Sequence, residues 1–322
     1  TAFIQKAIDD CSARKGGTVE IPSGHFLTRT LFLKSNVNLH LHFGAELLGS
    51  TDLDSYHKVF PELKGKESPA LIFARGVANI AITGSGTING QGAHQNFQHG
   101  NDSKGGPRRP KIIYFIGCNN VRVQDVTLRN SAYWTQDYEK CNGVIVRGVK
   151  VYSHANWNND GLDIDSRNVV VSDCYIDCDD DALCLKSDTD TPCENVTVTN
   201  CVLKSNCNAI KFGTSSYSGF KNVTISNCTI DRASEDHIRQ WYKNYPWIGT
   251  KHKTVVAGIA LESVDGGIIE NVSISDIAMQ GVQTPIFVRL GDRKRTFSKQ
   301  MSRIIGCKCI QHRRIALETG YI

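Results

Sequence analysis

The sequence predicts an all-β chain, a right-handed parallel β-helix with an N-terminal capping helix, on three observations. One phrase returns in the second half of the chain as Arg167-Asn-Val-Val-Val-Ser-Asp-Cys174, Glu194-Asn-Val-Thr-Val-Thr-Asn-Cys201, Lys221-Asn-Val-Thr-Ile-Ser-Asn-Cys228 and Glu270-Asn-Val-Ser-Ile-Ser-Asp-Ile277. Each copy alternates apolar and polar residues and favours β-branched ones, the pattern of a strand with one buried face. No helical segment separates the copies, so the period belongs to coils of short strands.

The elements follow in chain order. Ala2, Phe3, Ile4, Ala7 and Ile8 form an apolar stripe at helical spacing, and this helix is expected to close the open end of the core. Degenerate copies of the phrase stand at Asn79-Ile-Ala-Ile, Asn120-Val-Arg-Val and Gly143-Val-Ile-Val. Lead positions 120, 143, 168, 195 and 222 are spaced by 23, 25, 27 and 27, and Asn271 follows 49 later, leaving room for an insertion over 232–254. A second short strand follows each phrase, as at Val202-Leu203 and Thr229-Ile230. One such unit cannot bury its apolar face alone, whereas units stacked in register enclose a continuous core, so residues 1–322 are expected to be one domain. The recurrent Asn is expected to stack at one corner with its amide bonding along the axis. That reading is preferred to glycosylation at the sequons Asn195, Asn222 and Asn271, because the sequons keep phase with the coil. Cys174, Cys201 and Cys228, 27 apart, are expected to form a buried thiol stack. The polar segment 94–110, rich in Gly and Pro, reads as a long exposed loop.

Bulk properties exclude several classes. No run approaches ~18 apolar residues, so no membrane-spanning helix is predicted. The net charge of +5 and pI near 8.5 come from scattered Lys and Arg, without the clusters or modules of a nucleic-acid binder. Such a charge suits an acidic polysaccharide. The twelve cysteines show no zinc-like CxxC pairs, and neither metal nor cofactor is expected. The chain opens inside a helix and closes without a terminating signal, so the protein is expected to extend beyond both ends.

The chemistry concentrates in Asn158-Asn-Asp-Gly-Leu-Asp-Ile-Asp165 and, one coil later, Cys178-Asp-Asp-Asp-Ala-Leu-Cys-Leu-Lys-Ser187. Coils ~4.8 Å apart put carboxylates from both segments on one patch. Crowded carboxylates raise at least one pKa, and glycoside hydrolysis needs both a proton donor and an activated water. Two other readings fit the same residues: a calcium site of alternating oxygen ligands, and Asp and Asn serving as turn formers.

The Asn158–Ile164 segment resembles the Asn-Thr-Asp-Gly-x-Asp motif of the polygalacturonase family, glycoside hydrolase family 28. Asp180-Asp-Ala-Leu-Cys-Leu-Lys-Ser187 resembles its Asp-Asp motif at the expected distance. Ser131–Thr135 resembles its Pro-x-Trp segment, and Gly84–Gly92 is similar to a segment found early in the family's chains. The likeness covers essentially the whole chain. It implies an inverting hydrolase with Asp180 as general acid and Asp160 and Asp181 holding and deprotonating water. Asp179 stands where the family usually has Gln or Gly and is an extra carboxylate that could raise the acid's pKa. Asn158 is placed with the substrate, and Asp163 orients the loop.

Two family motifs are altered. Asn208 replaces the histidine of Gly-His-Gly, and Ala260-Leu-Glu262 replaces Arg-Ile-Lys, the pair associated with a galacturonate carboxylate on the leaving-group side. Glu262 there would repel a uronate. The expected substrate is therefore a pectin-type poly- or oligosaccharide cut at an α-galacturonosyl linkage to a non-uronate sugar, as in rhamnogalacturonan. Lys186, Lys211 and Arg289 are the candidate cations for the glycone. The insertion carries His237, Arg239 and Trp241, aromatics beside charges that fit either sugar contact or a packed hydrophobic cluster of the loop, with His237 a candidate substitute for the lost histidine. Hydrolysis of neutral α-galactosides, a polysaccharide lyase and a non-catalytic glycan-binding β-helix are the alternatives. A monomer in an extracytoplasmic location is expected from the polymer substrate.

Overall fold

The computed structural model describes residues 1–60, 68–97, 109–235, 255–295 and 301–310. His237, Arg239 and Trp241, most of the 94–110 loop and most of the 232–254 insertion lie outside the described residues. Every ladder between the described strands is parallel, and together they form one continuous 25-stranded stack wound as a right-handed β-helix.

Each coil contributes to three sheets. In one coil, Cys193–Thr199 lies in sheet one, Val202–Ser205 in sheet two and Asn208–Ser216 in sheet three. In the next, Phe220–Arg232 runs through sheet one and round the corner into sheet two, and Val255–Ser263 follows in sheet three. The short second strand expected at Thr229-Ile230 is thus the end of a longer one.

The repeated phrase is the sheet-one strand, and its inward residues stack. Val144, Val169, Val196, Val223 and Val272 face one another through successive coils and are all buried. Each such side chain contributes roughly 1.5–3 kcal/mol relative to exposure. The phrase is bounded by two corners that require left-handed backbone, which Asn and Asp tolerate better than other non-Gly residues. At the first corner Asn36, Asn79, Asn120, Asn168, Asn195, Asn222 and Asn271 all have φ between 52 and 64°. At the second, Asp173, Asn200, Asn227 and Asp276 have φ of 54–59°.

The first corner is the expected ladder. Amides donate from Asn79 to Asn36 (2.8 Å), Asn120 to Asn79 (2.8 Å), Asn195 to Asn168 (3.0 Å), Asn222 to Asn195 (3.1 Å) and Asn271 to Asn222 (2.8 Å). Where Gly143 takes the corner, the ladder sidesteps through Asn142, which accepts from Asn168 (2.7 Å) and donates to Asn119 (3.4 Å). Replacing Asn195 by Ala should lower stability by about 2–3 kcal/mol, through lost hydrogen bonds and a strained corner. Asn195→Gly, which keeps the backbone freedom, should cost less; equal denaturation midpoints for the two would show that the corner conformation carries no cost.

Cys174, Cys201 and Cys228 stack inside the second corner as buried free thiols. Each bonds a carbonyl two residues back, of Ser172 (3.3 Å), Thr199 (3.2 Å) and Ser226 (3.2 Å) respectively.

The helix α1, Ala2–Ala13, covers the first coil with Ile8 fully buried and Ile4, Ala7 and Cys11 packed on the core. Phe3 lies off this stripe and is 90% exposed, a correction to its expected place in the apolar face. Gln5 of α1 also satisfies an edge strand, accepting from Phe32 N (2.8 Å) and donating to Phe32 O (3.0 Å).

The outer face of sheet three carries a row that changes character along the axis: Phe32, Phe73, Tyr114, Asp137, Asp163, Cys184, Lys211, Ala260 and Phe287. The first aromatics pack on one another, with Phe32–Phe73 at 5.9 Å and Phe73–Tyr114 at 5.8 Å between centroids. The charged middle of the row is where the aspartates gather.

Candidate active site

Three successive corners between sheets two and three supply the cluster: residues 154–161, 179–182 and 206–207. Their backbones are laddered like strands, with Thr135 N donating to Asp160 O (2.8 Å), Gly161 N to Asp181 O (2.9 Å) and Ala182 N to Asn208 O (2.9 Å). The Asp-Gly step at 160–161 has a steric cause. A Cβ on Gly161 would meet Ile176 at 2.3 Å and Ala182 O at 2.7 Å, so only glycine lets this corner lie against the next.

The corners bring Asp160, Asp180 and Asp181 together, each no more than 4% exposed. Donor atoms of Asp160, Asp181 and Cys184 lie within 4.8 Å of one another, as do those of Asp180, Asp181 and Cys207. Two lysines of sheet three face them. Lys186 Nζ is 3.0 Å from Asp163 and 3.4 Å from Asp160, and sits 4.2 Å from the Trp134 ring centroid. Lys211 Nζ is 2.8 Å from Asp181 Oδ2, while the Asn208 amide donates to Asp181 Oδ1 at 2.7 Å. Asn158 donates to Asp180 Oδ2 (3.4 Å), and Asp181 N donates to Asp180 Oδ1 (3.0 Å). Asp160 Oδ1 accepts no hydrogen bond among the described residues.

These surroundings push the carboxylates apart in acidity. Burial, then the Asp163 and Asp180 charges, hold Asp160 well above the ordinary range. Burial also lifts Asp163, to about 7, against the pull of Lys186. Burial would lift Asp181 too, but Lys211 and Lys186 outweigh it and hold Asp181 at about 2. Burial opposes the charge on both lysines, yet the surrounding anions raise Lys186 and Lys211 well above the usual value, so both keep their protons. Each metal-sized trio includes a thiol and is already faced by an ammonium group, a donor set unsuited to calcium's all-oxygen shell.

The remaining predicted residues sit around this centre. Asp179 is fully buried, and its Oδ1 accepts from Asn206 (3.0 Å). Glu262 is three coils beyond Asp163 and pairs in register with Arg289 of the exposed strand Val282–Leu290. Burial raises Glu262 and the Asp181 charge adds to the rise, while Lys211, Arg289 and Arg293 pull against it without cancelling it. Glu262 is therefore not a bare anion but lies in the mixed field of three cations and the Asp181 carboxylate.

Several neighbours of the cluster escaped sequence reasoning. Lys111 and Asp137 form a buried pair at 2.5 Å, and Lys111 also lies 4.5 Å from the Trp134 centroid. Asp137 could have been found by stepping back 26 residues from Asp163, one coil. Trp134, the shared partner of Lys111 and Lys186, stood inside a recognised segment but was not chosen. Cys184 occupies the outer row between Asp163 and Lys211, inside the segment that resembles the Asp-Asp motif.

Comparison with known proteins agrees with this architecture. A probable polygalacturonase of Vitis vinifera is 31% identical over 206 residues, covering 59% of this chain and 41% of the relative. An exo-poly-alpha-D-galacturonosidase of Dickeya chrysanthemi is 28% identical over 234 residues, covering 57% and 38% respectively. The chain thus spans about two-fifths of the length of these relatives. The solved polygalacturonase of Erwinia carotovora superposes with a TM-score of 0.70 at 18% identity, covering 96% of this chain and 90% of that one, a likeness of fold. The sequence profile of Glycosyl hydrolases family 28 matches residues 11–315, which take in the described coils and the whole aspartate cluster, and the chain therefore belongs to that family.

Proposed function

We propose that the protein is an inverting glycoside hydrolase that cleaves an α-galacturonosyl linkage to a non-uronate sugar in a pectin-type glycan, of the rhamnogalacturonan kind. The observation that carries the hydrolytic reading is the buried cluster of four carboxylates, Asp160, Asp163, Asp180 and Asp181, against two lysines, Lys186 and Lys211. Four negative and two positive charges would leave the fully ionised cluster at −2 in a dry setting, so it holds a proton near neutrality, shared by the group as a whole. That proton is delivered to the leaving oxygen by Asp180, in the role carried over from the family's Asp-Asp motif. Asp181, kept ionised by Lys211 and Asn208, accepts the proton of the attacking water. Asp160, within 4.8 Å of Asp181 and with Oδ1 unengaged, orients that water.

The same electrostatics weigh against a lyase. β-Elimination needs a base at the C5 proton, and lysines that hold their protons this firmly are poor ones. Crowded carboxylates are likewise costly for a module that only binds.

The leaving-group side supports the finer reading. Among the described residues the cations about Glu262 already have anionic neighbours, Lys211 at Asp181, Arg293 at Asp265 and Arg289 in register with Glu262 itself. This supports a leaving-group side with no free cation pair for a second uronate, and moves Lys211 and Arg289 away from the glycone role first given to them. The named activities of the relatives support galacturonate as the glycone, and a polymer substrate of this kind supports an extracytoplasmic location. No described helix is long and apolar enough to cross a membrane.

A product assay tests the proposal on rhamnogalacturonan oligosaccharides beside polygalacturonate, with ultraviolet absorbance followed in parallel. Release of galacturonate from the rhamnogalacturonan set alone, without absorbance, is expected. Robust turnover of polygalacturonate would remove the assigned role of Glu262. Absorbance would mean elimination, and activity on neutral galactosides alone would move the glycone to galactose.

A further inference from the structure

Trp157 is the exposed aromatic of the aspartate corner, one residue before Asn158 and three before Asp160, with 39% of its surface open. A large apolar ring left in water beside a catalytic cluster calls for an explanation, because elsewhere the corner is packed. Its mounting is unusually firm. Trp157 N donates to Asn156 Oδ1 (2.9 Å), and the Asn156 amide is itself fixed to Gly92 O (3.2 Å) and Phe97 O (3.0 Å). Trp157 O accepts from Arg109 (2.7 Å), whose guanidinium also bonds Asn156 Oδ1 (2.9 Å) and Ala132 O (2.8 Å). Arg109, 1% exposed, lies 5.6 Å from the Trp157 centroid and 5.2 Å from that of Tyr133. Tyr133 stacks on Trp134 at 5.2 Å with 7° between planes, and Trp134 receives Lys186. The exposed indole is thus the last member of a cation–aromatic series that begins at the lysine of the aspartate cluster.

We infer that Trp157 is a stacking platform for a pyranose ring of the substrate, on the side of the aspartate cluster opposite Glu262 and Arg289. A pre-fixed indole loses little entropy on binding, and a pyranose of galacto configuration offers an apolar face of C–H groups to it. The buried Arg109 charge behind the ring suits a uronate rather than a basic or neutral sugar. Order along the axis sets the side. The 154–161 corner precedes those at 179–182 and 206–207, whereas Glu262 and Arg289 lie three and four coils beyond Asp163. On the reading of function above, on which this inference rests, Trp157 therefore serves the glycone.

The test uses the Asp180→Asn protein, whose turnover is expected to be slow enough for equilibrium binding, and calorimetric titration with three probes: rhamnogalacturonan, polygalacturonate and neutral galactan oligosaccharides. Adding Trp157→Ala is expected to weaken binding of the recognised probe about tenfold or more, while Trp157→Phe retains most of the affinity. Circular dichroism of both variants checks that the fold is kept. Unchanged affinity in Trp157→Ala overturns the platform. A tenfold loss seen only with polygalacturonate keeps the platform and overturns the non-uronate leaving group. Binding of none of the probes overturns both.

Discussion

Asp180→Asn should reduce turnover on the recognised oligosaccharide by about 10³-fold, within the usual range for removing a general acid. The fold should be kept, because the change is isosteric and Asn can still accept from Asp181 N and face Asn158. Stability should hold or rise, since one carboxylate leaves a crowded, buried group. The effect should fall on kcat rather than on KM, as the proton moves only in the transition state. Reducing-end release by the purified variant measures it, and activity within tenfold of wild type would remove Asp180 from the acid role.

Lys211→Met should produce the largest loss of stability of any single change at the site. It removes the 2.8 Å partner of Asp181 and leaves a buried carboxylate with Asn208 as its remaining close donor. Breaking one side of such a pair costs about 3–5 kcal/mol. The pH dependence follows from the directions of the shifts. Asp181 sits at about 2 in the folded protein, below its unfolded value of about 3.9. Its contribution is therefore complete above about pH 4 and disappears as the pH falls from there towards 2. Asp163 works in the opposite sense. Its carboxyl is raised to about 7, so the folded state loses stability as the pH climbs from about 4 to 7 and is level above that. In Lys211→Met the Asp181 carboxyl should rise, and the acid limb of the activity profile should move to higher pH with it. The double variant Lys211→Met/Asp181→Asn should recover much of the stability and none of the activity. Chemical denaturation across pH 3–8, paired with pH–rate profiles, checks both halves; a double variant no more stable than Lys211→Met would show that the loss comes from packing rather than from charge.

Much of this architecture was legible because a coiled repeat converts spacing into contact. Once Asn168, Asn195 and Asn222 are seen to share a phase, their ladder follows, and so does the thiol stack at Cys174, Cys201 and Cys228. The same phase brought Asp160 beside Asp181 across 21 residues of sequence. What the period does not reveal is how outward side chains lean across coils. Lys111 reaches Asp137 and Trp134 from the preceding coil, and Lys186 reaches back to Asp160 and Asp163. Long flexible cations choose partners by local charge, which an alternating pattern does not encode. Glu262 shows the same limit. Read alone it is a repulsive anion, but in register it is the neighbour of Arg289. Phe3 failed for a simpler reason: the helix packs through the row Ile4, Ala7, Ile8 and Cys11, which has no room for a residue at its edge.

The outer row of sheet three has a metrical consequence. Its members from Phe32 to Phe287 advance one coil at a time, a step of ~4.8 Å, close to the span of one sugar in a chain laid along the axis. Position along this row is therefore counted in whole steps. A relative that gained or lost a complete coil on either side of the aspartates would move a recognition element by one monosaccharide and leave the reacting centre untouched. Specificity in such a scaffold can change like a ruler being recut, by graduations rather than by gradual drift.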